Sequence, residues 1–134
     1  MYTLSIVTPE KIFYEAEVTS LVIPGSEGYL GVLSDHAPLI TAVIPGKVSV
    51  KDLDAKEIEM AVSHGFFEVS SNRATLLVDS VEFSGDIDLE RAREALTRAK
   101  QRLSDAVGDI DLPRAGRAFA RAKNRIRIAS RENE

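Results

Sequence analysis

The sequence predicts an all-β N-terminal sandwich or flattened barrel over residues 1–85, followed by a C-terminal α-helical hairpin over residues 86–134. Three observations carry this reading. Up to about Val81, short alternating apolar segments are cut by Gly, Pro, Asp and Asn; after Gly85 the apolar period changes to about 3.6; and the charge reverses sign at the same place. Residues 1–86 hold 5 basic and 13 acidic side chains, net −8, whereas residues 87–134 hold 12 basic and 8 acidic, net +4. Two modules with different partners follow from that asymmetry, the second suited to an acidic one.

Alternation places strands at 2–7, 18–23, 47–50, 57–62, 66–70 and 75–78. Pro24-Gly25, Pro45-Gly46, residues 52–54 and Ser71-Asn72 supply the turns, because Gly and Asn tolerate unusual dihedrals and Pro fixes one. Strands this short and closely spaced, with no helical pattern between them, favour antiparallel pairing over βαβ units.

In the second module, Leu89, Ala92, Leu96, Ala99, Leu103 and Ala106 share one face of a helix of about 20 residues. The segment Gly108-Asp109-Ile110-Asp111 breaks the pattern, and Leu112, Ala115, Phe119, Ala122, Ile126 and Ala129 form a second stripe. Two antiparallel helices joined by a short loop result. Asp86 or Asp88 is suited to cap the first helix and Asp111 the second, with Pro113 tolerated in the first turn. Both stripes are rich in Ala, so at ~25 cal/mol per Å² they bury a weak core that depends on the sandwich or on a partner.

The residue inventory excludes several classes of chemistry. The chain has 134 residues, no Cys and no Trp, so disulfide and thiolate chemistry are absent and a large multidomain enzyme is excluded. No apolar run approaches the ~20 residues of a membrane-spanning helix, and no signal peptide opens the sequence. Two histidines, His36 and His64, with no Cys make a zinc site unfavourable, and no metal site is expected. Asp35-His36 reads as a turn histidine against Pro38 rather than an acid/base pair, and His64 as a strand-end residue. Asp52, Asp54, Glu57 and Glu59 lack the calcium-loop pattern and read as a solvated hairpin. The glycines of the segment 25–31 precede no Lys-Ser pair, so they read as turn or close-approach residues rather than a phosphate loop. Catalysis by this chain alone is disfavoured.

The hairpin carries the distinctive charge. Arg91, Arg98 and Arg102 fall on one helix face, and Arg114, Arg117, Arg121 and Arg125 on another. Seven positive charges run from Arg114 to Arg131 with no acid between, a row with reach to carboxylates or phosphates. Interleaved acids on the first helix and the single aromatic Phe119 argue against nucleic acid.

Three segments resemble one family. Gly25-Ser26-Glu27-Gly28-Tyr29-Leu30-Gly31-Val32-Leu33 is followed by His36-Ala37-Pro38-Leu39 and Pro45-Gly46; Ser63-His64-Gly65-Phe66-Phe67-Glu68-Val69 comes next; and Asp86-Ile87-Asp88-Leu89-Glu90-Arg91-Ala92 opens the helical part. In order and spacing these are similar to the epsilon subunit of bacterial F-type ATP synthase, across essentially the whole chain. The departures are Tyr29 where an acid is frequent, Ser34-Asp35 in place of Pro-Gly, and His64 in place of Gly.

The resemblance implies a non-catalytic central-stalk rotor subunit of the proton-translocating F-type ATP synthase, which couples rotation to synthesis and can inhibit ATP hydrolysis. It implies a sandwich that contacts the gamma subunit and the c-ring through Glu27, Tyr29, Leu30, His36 and Pro38. It implies a hairpin that reaches the alpha and beta subunits as an inhibitory arm through Arg114, Arg117, Arg121, Lys123, Arg125 and Arg127. No cofactor is required, although some family members bind ATP as a regulatory ligand. The positions matching theirs are Glu82, Ile87, Asp88, Arg91, Ala92, Arg98, Arg121 and Arg125. The expected location is the cytoplasmic face of a bacterial cell membrane, peripheral, with membrane contact only through the complex. The rival reading is a free-standing nucleotide-binding sensor with an arginine-lined hairpin. An open apolar patch around Tyr29, Leu30 and Val32 would separate the two, because a solitary sensor has no reason to leave one exposed.

Overall fold

The computed structural model describes residues 1–104 and 112–132. Its contacts divide the chain into two units, Met1–Phe83 and Ser84–Glu134.

The first unit contains nine strands: β1 (Tyr2–Val7), β2 (Ile12–Gly25), β3 (Gly28–Leu33), β4 (Leu39–Val43), β5 (Gly46–Asp52), β6 (Glu57–Val62), β7 (Gly65–Ser70), β8 (Arg73–Val78) and β9 (Val81–Phe83). Neighbours follow the order β1-β8-β7-β4-β2-β5-β6-β9, with β3 paired to β2. Because β2 also pairs with β1, the path from β1 through β8, β7 and β4 returns on itself and flattens into a barrel. All pairings are antiparallel except β1 with β8, where Thr3 to Val7 run alongside Arg73 to Leu77. Inward positions alternate along each strand and interlock in one core of Leu4, Ile6, Val18, Leu21, Ile23, Val32, Met60, Phe67 and Leu76.

Local chemistry explains the joints. Ser71 and Asn72 both take positive φ, 51° and 59°, the left-handed pair that a two-residue hairpin needs to join β7 to β8. Between β5 and β6, the Asp54 and Lys56 amides both donate to Asp52 Oδ1 at 2.9 Å, and the Lys47–Glu59 ion pair at 3.1 Å lies farther along the same strands. The four acids of this hairpin therefore shape and solvate it, as the sequence indicates. Gly65 begins β7 because a Cβ there would collide with the Leu77 carbonyl of β8.

All six expected strands are present, but β3, β4 and β9 are additional and β2 begins six residues before position 18. In β2 the outward positions Glu15 and Glu17 interrupt the apolar signal, while β1 pairs with them as Ser5 and Thr3. The glycines of segment 25–31 do make a turn, at Gly25 and Gly28, yet Gly31 lies within β3 opposite Val22.

The second unit opens with a 3₁₀ turn, Ser84–Asp86, followed by α1 (Leu89–Ser104) and α2 (Leu112–Glu132). Asp88, and not Asp86, caps α1: its Oδ1 accepts from the Arg91 amide at 3.1 Å and its carbonyl from the Ala92 amide at 3.0 Å. Ala92 and Ala99 are buried on α1, as are Ala115, Ala122 and Ala129 on α2. Pro113 is the second residue of α2, where its missing N–H costs nothing. Ala106, the break at 108–111 and the Asp111 cap lie outside the described residues.

Candidate functional site: two partner surfaces

The β2–β3 hairpin and the loop after it hold the first group of expected contacts. Glu27 sits exposed in the two-residue turn between Gly25 and Gly28. Tyr29, 58% exposed, has its hydroxyl 3.3 Å from the Lys47 amide, which donates to it. That contact and the packing of Pro24 leave no room at Gly46, where a Cβ would lie 2.5 Å from Pro24 Cβ and 3.1 Å from the Tyr29 hydroxyl. Past Leu33 the chain turns at Asp35, φ 60°, and a side chain from another turn fixes it. Asn72 Oδ1 accepts from the Asp35 amide at 2.9 Å while its Nδ2 donates to the Met1 carbonyl at 2.9 Å. His36 is half-buried with Nδ1 2.6 Å from the Ala37 carbonyl, and Pro38 is exposed.

The expected patch at Tyr29, Leu30 and Val32 needs correction. Val32 is fully buried, and Leu30 is half-buried against the core. Alternation turns both inward, so the exposed apolar side chains of β3 are Tyr29 and Leu33, the latter 66% exposed.

A larger apolar surface lies on the outward face of the β4-β7-β8-β1 layer. Registers align Ala42 with Phe66, Phe66 with Leu77, and Leu77 with Val7, a row across four strands. Phe66 is 61% exposed and Leu77 50%, and Ile40 is 71% exposed on the same side of β4. At the Ile44 end the row opens into a groove of about 540 Å³, lined by Val7, Ala42, Ile44, Phe66 and Leu77 with His64 and Asp79 at its polar rim. His64 is thus a half-buried strand-end residue, its carbonyl accepting the Asp79 amide at 3.0 Å. Sequence reasoning overlooked this face. The signal was present in Phe66-Phe67 and Leu76-Leu77, adjacent apolar residues that break alternation because both faces of those strands are apolar.

The arginine rows form the second surface. Arg91, Arg98 and Arg102 are exposed on α1, as are Arg114, Arg117, Lys123 and Arg127 on α2. Arg121 and Arg125 are half-buried, being one turn apart and flanked by the buried Ala122, Asn124, Ile128 and Ala129. The buried arc of α2 is consequently wider than the expected stripe, for it includes Asn124 and Ile128. Arg127 Nη2 donates to Asn124 Oδ1 at 2.9 Å. Among residues matching the ATP-binding positions, Ala92 is fully buried, Ile87 half-buried with its amide donating to the Ser84 carbonyl, and Asp88 engaged as the cap. Glu82 belongs to β9 of the first unit. Among the described residues no group of three or more His, Asp or Glu side chains is arranged to hold a metal ion, and no helix is long and apolar enough to cross a membrane.

Comparison with known proteins matches both units. Residues 1–84 match the ATP synthase Delta/Epsilon chain beta-sandwich domain and residues 86–130 the long alpha-helix domain of the same chain. The ATP synthase epsilon chain of Desulforamulus reducens is 46% identical over 101 residues, covering 75% of this chain and 76% of that one. That of Moorella thermoacetica is 44% identical over 102 residues, covering 76% of each. A chain in the structure of the Euglena gracilis mitochondrial ATP synthase shares the fold with a TM-score of 0.78 at 20% identity, over 90% of this chain and 76% of that one. With both units matched in order and relatives this similar over three quarters of its length, the chain belongs to the ATP synthase delta/epsilon chain family.

Proposed function

We propose that this protein is a non-catalytic central-stalk subunit of an F-type ATP synthase that couples rotation to ATP synthesis and brakes ATP hydrolysis. The observation that carries the reading is the apolar row of exposed Ala42, Phe66 and Leu77, ending at half-buried Val7, on a sandwich of this family. A contiguous apolar face this open on a small domain marks a protein interface, and it weighs against a solitary nucleotide sensor. We assign the gamma subunit to that face, and the c-ring to the hairpin end at Glu27, Tyr29 and Leu30; His36 and Pro38 follow the other end of β3, beside the Ser71-Asn72 turn. Peripheral attachment at the cytoplasmic face of the membrane, through the complex, follows from these partners.

Substituting Phe66→Asp tests the docking. A charge in the middle of the row should weaken assembly with gamma at least about tenfold and uncouple ATP-driven proton pumping, while leaving thermal stability near that of the parent. Unchanged assembly and pumping would refute the assignment.

The hairpin supplies the brake. Arg114, Arg117, Arg121, Lys123, Arg125 and Arg127 form a basic row without an intervening acid, suited to acidic segments of the alpha and beta subunits. The same hairpin is suited to ATP as a regulatory ligand, with Arg91, Arg98, Arg121 and Arg125 neutralising phosphates and Asp88 dividing its oxygens between cap and ligand. Two half-buried arginines one turn apart favour this additional reading. Calorimetric titration of the full chain with ATP should show saturable binding lost in Arg91→Ala and Arg125→Ala. Equal binding by all three proteins would eliminate the site.

A further inference from the structure

We propose that the free edge of β3 receives an extended segment of a neighbouring subunit as an additional strand, an inference that rests on the assembly role above. The β2–β3 hairpin closes through two residues between Gly25 and Gly28, which makes that pair hydrogen-bonded and sets the alternation beyond it. Leu30 and Val32 therefore bond to β2 through Ile23 and Leu21. Tyr29, Gly31 and Leu33, opposite Pro24, Val22 and Ser20, aim their backbone N–H and C=O away from β2. The Pro24 carbonyl agrees with this phase, since it accepts the Ile44 amide at 3.0 Å instead of facing β3. Among the described residues, no strand other than β2 pairs with β3.

Three outward donor and acceptor pairs thus repeat every second residue, about 6.7 Å apart, the spacing an incoming strand requires. Exposed edges are ordinarily blunted by charge, Pro or shortness. The edge strand β9 follows that rule, with three residues and Glu82 at its centre. β3 breaks it: six residues, Gly-Tyr-Leu-Gly-Val-Leu, with neither charge nor Pro. A strand left in this state would pair indiscriminately unless its assembly covers it.

The flanking chemistry describes the occupant. Tyr29 and Leu33 stand exposed on either side of Gly31, where nothing lies within 4 Å of an added Cβ, so an apolar side chain of the incoming strand can lie between them. Glu27 and Asp35, both exposed, bracket the strand with negative charge. The segment that fits is extended, apolar at its centre and basic at its ends.

Residue-resolved hydrogen exchange on the full chain, alone and within the complex with gamma and the c-ring, tests this. In the free chain the Tyr29, Gly31 and Leu33 amides should exchange fast while those of Leu30 and Val32 are protected; in the complex the first three should slow by about tenfold or more. A formed complex in which those three stay fast overturns the inference alone, whereas failure of the chain to join the complex overturns the proposed function and this inference with it. Protection that appears in the free chain and grows with its concentration assigns the edge to a second copy and overturns the partner assignment. Gly31→Pro removes an outward donor without breaking a bond to β2, so it should fold and lose about tenfold in affinity for the complex, with Gly31→Ala, which keeps the donor, losing less. Parental affinity in Gly31→Pro overturns the inference; should that variant fail to fold, the exchange comparison decides.

Discussion

The two units differ in what they bury. The sandwich closes over Leu4, Ile6, Leu21, Ile23, Met60, Phe67 and Leu76, all at most 1% exposed, whereas the buried apolar residues described in the helices are five alanines and Ile128. Large interlocking side chains give the sandwich one arrangement, held from many directions by strands distant in sequence. Alanine contacts bring helix backbones close but remove little apolar area from water, so each contact is weak. A unit built that way is the one whose conformation a ligand or partner can shift. The sandwich is suited to hold position and the hairpin to change state.

Substitutions can break that comparison, starting where the effect is largest. Phe67→Ala empties the centre of the sandwich and should lower its stability by about 3–5 kcal/mol, read by denaturant unfolding followed on sheet signals. Ala99→Leu forces a larger side chain into a closely packed helix surface and should cost about 1–3 kcal/mol, confined to helix amides in hydrogen exchange. Equal losses in both units after either change would show that they do not differ in the way described. Asp88→Ala removes the α1 cap and should cost about 1 kcal/mol of helix stability, seen as faster exchange in the first turn.

The smallest effect is a pH dependence. The buried Tyr2 hydroxyl donates to the Val32 carbonyl at 2.7 Å, and burial pushes its pKa from 10.0 up to about 12. The folded state holds this proton to higher pH than the unfolded chain does. Its contribution is therefore complete below pH 10 and is lost as pH rises toward about 12. Tyr2→Phe should flatten the alkaline limb of sandwich stability and leave the hairpin unaffected. An unchanged limb would mean that another group titrates there.

The contrast also explains what was legible in the sequence. Period and punctuation were enough for six strands and for the position at which helices begin, because each rests on local alternation or on a 3.6-residue stripe. β3 was obscured because Gly28 and Gly31 read as turn residues, although one closes a hairpin and the other leaves open space within a strand. The Ala42, Phe66, Leu77 and Val7 row could not be assembled from spacing, since its members come from four strands brought side by side by long-range pairing. In the hairpin the arginine spacing located the basic row, but not that Arg121 and Arg125 are half-buried or that Asn124 and Ile128, which the simple apolar stripe omits, are buried.

The central claim is a division of labour between a docking sandwich and a braking hairpin. It is tested most directly by measuring ATP hydrolysis and ATP-driven proton pumping in complexes assembled with the full chain or with residues 1–86 alone. The account predicts that the shortened chain still joins the stalk and supports pumping while hydrolysis rises under conditions that favour inhibition. An unchanged hydrolysis rate, or loss of assembly on removing residues 87–134, would contradict it.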